Sequence, residues 1–247
     1  MDTFFNFIAS HDGIGLRPAE DILSRTEIQN LVDRTLAHSG QVSYKNNPDG
    51  SQSAYELNIT LFDALSDPYR DKPESLRIDR FMAAQAMMLA LAGMPGSYIH
   101  NLVGSSNYHA GVAQTGRART INRQKWNRLE LEADLLHPST RAYHVFHRYT
   151  NLLRIRASQR AFHPNGEQQI LTGNPAIFSL VRTSTDGQER ILCLHNISTQ
   201  SQQFKADVAE LSAGETWRDL FSGEAVGIEG QVLLIMLEPY EVKWLAG

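Results

Sequence analysis

The run of residues richest in chemistry lies close to the N-terminus: Phe7-Ile8-Ala9-Ser10-His11-Asp12-Gly13-Ile14-Gly15. An apolar stretch stops there and hands over to an imidazole, a carboxylate and two glycines. A carboxylate beside a hydrogen-bonding imidazole suits stabilisation of positive charge that develops during a reaction. The plainer alternative is an aspartate that caps a helix or braces a loop. A second concentration is Gly116-Arg117-Ala118-Arg119-Thr120-Ile121-Asn122-Arg123, which by itself reads as a solvated arginine loop. Arg77-Ile78-Asp79-Arg80 has carboxylate and guanidinium groups together, but its helical spacing makes it a solvated helix turn. His144 and His147 are three apart, with His137 nearby. A metal would need further ligands and a supporting shell, so surface histidines and no metal are expected. Trp217 and Trp244 read as core aromatics rather than carbohydrate platforms.

These residues need elements to hold them. Phe4 to Ser10 is a short, nearly continuous apolar run, the pattern of a strand buried on both faces in a parallel sheet. Ser24-Arg25-Thr26-Glu27 is a capping box, followed by Ile28, Leu31, Val32, Thr35 and Leu36 at helical spacing, with Gly40 as the expected C-cap. Residues 41 to 54 are polar and rich in Asn, Ser and Gly, and are expected to be a loop. Helices are predicted from Glu74 to Ala92 and from Pro138 to Ser158. A short strand is predicted at Ser97-Tyr98-Ile99, and an irregular segment from Leu102 to Arg128. After His163-Pro164-Asn165-Gly166 the texture changes to short strands separated by turns. The candidates are Ile177 to Thr183, Arg190 to Ile197, Gln202 to Val208, Glu215 to Leu220, Gln231 to Leu237 and Glu241 to Leu245, an antiparallel pattern. Two domains are therefore expected: an α/β part over residues 1–165 and a β part over 166–247.

Composition narrows the function classes. The 247 residues hold 42% hydrophobic and 20% charged residues with a formal charge of −4, the balance of a globular protein. The basic residues are scattered, so no nucleic-acid partner is expected. The apolar N-terminal stretch has no basic flank and is too short to span a membrane. Cys193 is the sole cysteine, which excludes an intrachain disulfide and favours a reducing, cytoplasmic setting.

The His-Asp nonapeptide resembles the fourth conserved segment of family 13 glycoside hydrolases, in the form typical of sucrose phosphorylases and their glucosylglycerate-using relatives. Tyr55-Glu56-Leu57-Asn58-Ile59-Thr60 with Ala64-Leu65 resembles that family's acceptor-side loop. Ala92-Gly93-Met94-Pro95 with Tyr98-Ile99 resembles its eighth barrel strand, and Gly116 to Arg123 its sugar-binding arginine loop. Leu237-Glu238-Pro239-Tyr240-Glu241-Val242-Lys243-Trp244-Leu245 is similar to the last strand of its C-terminal β domain. The resemblance implies the last strand-helix units of a (β/α)8 TIM barrel, incomplete because a full barrel takes about 250 residues, followed by an antiparallel β-sandwich. It implies that Asp12 is the transition-state stabiliser, that His11 and Arg119 bind the glucosyl unit, and that Glu56 faces the acceptor or phosphate. The nucleophile and acid/base carboxylates would precede His11 in the family's order and are expected to be absent from these residues. One departure bears on the acceptor side: after Gly104-Ser105-Ser106-Asn107 the family usually has aspartate, and here it is Tyr108. The implied activity is that of a retaining disaccharide phosphorylase, taking glucosylglycerate or sucrose plus inorganic phosphate to glucose 1-phosphate without a cofactor. The alternative is a catalytically inactive fragment or carbohydrate-binding remnant. The expected partners are the sugar, phosphate, and a preceding barrel segment or a second copy of the chain.

Overall fold

A computed structural model describes residues 2–67, 73–207, 211 and 216–247, without the side chain of residue 229. Among the described residues the helices are α1 (Arg25–Ala37), α2 (Leu61–Leu65), α3 (Glu74–Ala90), α4 (His109–Thr115), α5 (Arg128–Leu136) and α6 (Arg141–Ser158). The strands up to residue 95 are β1 (Phe5–Asn6), β2 (Ile14–Gly15), β3 (Gln41–Asn46), β4 (Gln52–Asn58) and β5 (Met94–Pro95). Those after residue 165 are β6 (Glu167–Leu171), β7 (Ile177–Thr183), β8 (Arg190–Asn196), β9 (Gln202–Asp207), β10 (Trp217–Asp219), β11 (Ala225–Val226), β12 (Ile228–Glu229), β13 (Val232–Leu237) and β14 (Val242–Ala246).

The chain forms two compact units, and neither ends at residue 165. One is Met1–Asn6, Met82–Gly96 and Arg148–Gly247; the other is Phe7–Phe81 and Ser97–His147. The first unit carries a six-stranded sheet in the order β11-β10-β14-β8-β7-β6 and a three-stranded sheet β12-β13-β9, with every pair antiparallel. Leu192 and Leu194 of β8 join Val181, Trp217, Leu233, Ile235 and Leu245 in one buried cluster that draws on both sheets. The alternate residues Ile191, Cys193 and His195 are also fully buried, so this strand is apolar on both faces.

A buried arginine joins the segments on either side of residue 165. Arg182 of β7, with no solvent exposure, donates to the carbonyls of Ala90 (2.9 Å), His163 (2.8 Å) and Glu167 (3.2 Å). Arg156 of α6 donates to Leu89 O at 2.9 Å and Gly93 O at 3.1 Å. The C-terminal carbonyls of α3, which lack partners within the helix, are thus met from two distant segments. Burial pushes the Arg182 guanidinium down to about 10.

Several local expectations also change. The N-terminal strand is only Phe5–Asn6, paired in parallel with Met94–Pro95, and Phe4, Phe5 and Phe7 are largely exposed rather than buried. The strand predicted at 97–99 lies instead at β5, where Gly96 N donates to Asn6 O at 2.7 Å. In the second unit the loop predicted over 41–54 is the β3–β4 hairpin, with β2 on the other side of β4. Both hairpin strands carry polar residues on both faces, which hides the period-two signal. The segment 102–128 contains α4. The capping box at α1 is present, with Ser24 N donating to Glu27 Oε2 at 2.8 Å, but the left-handed residue after α1 is Ser39 (φ 60°), not Gly40. Val208 and Glu215, within predicted strands, lie outside the described residues. One apolar cluster of this unit is Leu16, Val32, Leu57 and Ile59, and Phe62, Ile78, Phe81, Ile121 and Val145 are buried in it as well.

Candidate active site

All the site residues expected from the sequence fall in the unit Phe7–Phe81 plus Ser97–His147. His11 and Asp12 sit in the turn before β2, where Ser10 and Gly13 exchange backbone hydrogen bonds of 2.9 and 3.1 Å. Gly13 has φ +116°, and a Cβ there would lie 2.2 Å from Leu57 O. Only glycine permits this close approach of the turn to β4. The approach sets Asp12 beside Glu56, since β2 pairs with β4 at Gly15 and Glu56.

Two carboxylates then meet two guanidinium groups. Arg119, in the single turn of 3-10 helix at Ala118–Asn122, donates through Nε to Glu56 Oε2 at 2.9 Å and through Nη2 to Glu56 Oε1 at 3.1 Å. Its Nη2 also donates to the Tyr55 hydroxyl, and its Nε lies 3.4 Å from Asp12 Oδ1. Arg123 donates through Nη2 to Asp12 Oδ1 at 2.5 Å and through Nε to the His11 carbonyl at 3.1 Å. The hydrogen bonds that Arg119 donates to Glu56, with the charges of Glu56 and Asp12, hold its guanidinium above its usual range against desolvation. Forked pairing of this kind fixes geometry as well as energy. Glu56 is buried, whereas the Asp12 side chain keeps 29% of its surface exposed and that of His11 61%.

Behind this cluster runs a chain of rings. The centroid distances are 6.4 Å from His11 to Tyr98, 5.1 Å from Tyr98 to His100 and 4.0 Å from His100 to Trp126. The Tyr98 hydroxyl donates to Asn122 O at 2.6 Å, which anchors the residue next to Arg123. Burial lowers His100 to about 4, so its ring is neutral at pH 7 and hydrogen-bonds Ser105 Oγ at 3.0 Å.

Arg117 is exposed, in contrast to Arg119. Tyr108 precedes α4, its N–H held by Ile121 O at 3.0 Å. Asp79 lies within α3. Among the described residues no group of histidine, cysteine and carboxylate side chains could hold a metal, and no helix is long and apolar enough to cross a membrane. Arg123, Tyr55, Asn58 and Tyr98 were not singled out from the sequence as site residues. The signals were present: Arg123 follows Arg119 by four positions, and Asn58 follows Glu56 by two on a strand, hence on the same face. A lone exposed aspartate would be unremarkable; an aspartate held by two arginines and left open on one side can receive hydroxyl groups and oppose a developing cation.

Residues 168–244, within the sheet-rich unit, match the family model described as the maltogenic amylase C-terminal domain. The chain is 42% identical to the glucosylglycerate phosphorylase of Allomeiothermus silvanus over 243 residues, which is 98% of this chain and 40% of the relative. It is 37% identical to the glucosylglycerate phosphorylase of Escherichia coli, again over 98% of this chain and 41% of the relative. By sequence, the chain is similar over nearly its whole length to one part of these two phosphorylases. It spans about two-fifths of the length of these relatives. Similarity to the sucrose phosphorylase of Streptococcus mutans is lower, 24% over 74% of this chain and 35% of that one. The crystal structure of a sucrose 6F-phosphate phosphorylase from Thermoanaerobacter thermosaccharolyticum superposes with a TM-score of 0.64 at 23% identity, covering 78% of this chain and 36% of that one. At that identity the superposition speaks to fold alone.

Proposed function

We propose that the chain supplies the transition-state-stabilising and acceptor-side part of a retaining α-glucosyl phosphorylase acting on glucosylglycerate. The supporting observation is the cluster in which Asp12, Glu56, Arg119 and Arg123 converge, in a chain related over nearly its whole length to glucosylglycerate phosphorylases. Asp12 opposes the positive charge that builds on the glucosyl ring, an interaction strongest in the transition state. His11 binds glucosyl hydroxyls, Arg119 holds the sugar, and Glu56 faces the acceptor or phosphate. Residues 1–165 form the closing strand-helix units of a barrel and 166–247 its β domain; the parallel pair β1–β5 supports that layout. The two carboxyl groups that attack the anomeric carbon and protonate the leaving oxygen, about 5 Å apart in a retaining site, come from segments outside these residues. The reaction needs no metal or cofactor and takes place in the cytoplasm.

The test measures glucose 1-phosphate formed from glucosylglycerate or sucrose and phosphate. It compares the 247-residue chain with a chimaera completed by the remaining segments of the Allomeiothermus silvanus relative. The chain alone should turn over neither donor, and the chimaera should prefer glucosylglycerate. Asp12→Asn in the chimaera should lower kcat at least about a thousandfold with little change in melting temperature. Turnover by the chain alone would overturn the assignment and return attention to Asp79. A folded chimaera that binds sugar without turnover would favour an inactive binding remnant.

A further inference from the structure

Asn58 has no solvent exposure and touches both carboxylate-bearing segments. Its Nδ2 donates to the backbone carbonyl of Asp12 at 3.0 Å and to Glu56 Oε2 at 2.8 Å, while its Oδ1 accepts from Ser43 Oγ at 2.7 Å. The partners set the orientation of the amide: Asp12 O and Glu56 Oε2 can only accept, so the opposite rotamer would aim Oδ1 at two acceptors. We propose that Asn58 is a positioning residue that sets Asp12 and Glu56 as one unit, with Ser43 fixing which way its amide points. This rests on the phosphorylase reading above.

The reason lies in the local structure. Asp12 sits in a turn whose other supports, Arg119 and Arg123, approach its carboxylate from half-exposed side chains. The Asn58 bond instead grips the Asp12 main chain from a buried strand. Glu56 is two residues away on the same strand face, and its Oε2 is shared between Asn58 and Arg119. Displacing the amide therefore moves the donor-side carboxylate and the acceptor-side carboxylate together. A merely structural asparagine would change the amount of folded protein and leave the constants of that protein alone.

Asn58→Asp is nearly isosteric and replaces the donor by an acceptor. In the 247-residue chain, the Arg119 Nε–H is followed by 15N NMR. Asn58→Asp should speed its solvent exchange at least about tenfold, with shifts at the Asp12 and Gly13 amides. In the chimaera the same variant should cut kcat/KM about a hundredfold, the scale of loss from misplaced groups, and raise KM for both phosphate and the sugar donor. Ser43→Ala, which frees the amide to turn over, should give the same pattern at smaller size and keeps the test open where Asn58→Asp fails to fold. A folded variant with unchanged Arg119 and Asp12 signals would overturn the positioning role. The NMR changes in a chimaera that lacks phosphorolysis would leave that role intact and remove the phosphorylase reading instead.

Discussion

Trp217 and Trp244 are fully withdrawn from solvent in the sheet-rich unit, whereas Asp12 in the other unit keeps 29% of its side chain exposed. The first unit is organised by buried apolar side chains on its longer strands, with β7 and β8 buried along most of their length. The second sets ionic and hydrogen-bonded side chains on short turns, over a core that includes Leu57, Ile59, Phe62, Ile78 and Phe81. Burial of large side chains contributes stability in proportion to apolar area, so the buried cores carry the weight of folding. Paired charges at a surface contribute little stability but hold groups at fixed distances. The division of labour is between buried cores that resist unfolding and a cluster of turns that aims side chains.

Substitutions can break that contrast or sharpen it. Trp244 packs on Phe162 at 4.7 Å and Phe221 at 5.4 Å, and its Nε1 donates to His195 Nε2 at 3.4 Å. Trp244→Ala should cost about 3–5 kcal/mol, read as a large fall in the urea midpoint. A loss under about 1 kcal/mol would show that this buried tryptophan is not part of the stabilising core. In the chimaera, Arg119→Ala should raise the donor KM and reduce kcat, each about tenfold or more, because a forked clamp is lost. Arg117→Ala, on the exposed side of the same loop, should be mild; the reverse order would mean that the loop register is wrong.

The smallest expected effect is on pH dependence, and it treats the two units alike. Burial lowers both His100 and His195 to about 4. The unfolded chain, with histidine near 6.5, takes up these protons first. The stability due to the neutral rings is therefore full above about pH 6.5 and is lost as pH falls towards 4. Melting temperatures from pH 7.5 to 4.5 should fall, and His195→Gln should flatten the slope. An unchanged slope would mean that His195 is charged in the folded protein or already accommodated when protonated.

The same contrast explains how much could be read in advance. Strand β7 matches its predicted span at both ends, because Ile177, Val181 and their neighbours form an apolar run between clear turns. Helix α1 is announced by a capping box that is local in sequence. The β3–β4 hairpin was expected to be a loop, since its strands are polar on both faces and held by cross-strand partners and by Asn58. The strand expected from Phe4 to Ser10 shrank to two residues because apolar content alone does not supply a pairing partner. The change in texture near residue 165 lies close to where the matched C-terminal domain model begins, at residue 168, and the hydrogen bonds of Arg182 tie the segments on either side of it. In the site, Asp12, Glu56 and Arg119 were legible as a motif. Arg123, Asn58 and Tyr98 were not, because their partners lie 111, 46 and 24 positions away.

Arg182 and Arg156 also set an order of events. The carbonyl of Ala90 receives its bond from a residue 92 positions later, and that of Leu89 from one 67 positions later. During vectorial synthesis the end of α3 therefore emerges long before the two cations that complete it. That helix terminus stays frayed while the intervening residues are made, and it closes only once β7 has left the ribosome. Nascent chains arrested before residue 182 should show α3 protected along its length but open to hydrogen exchange at its last turn.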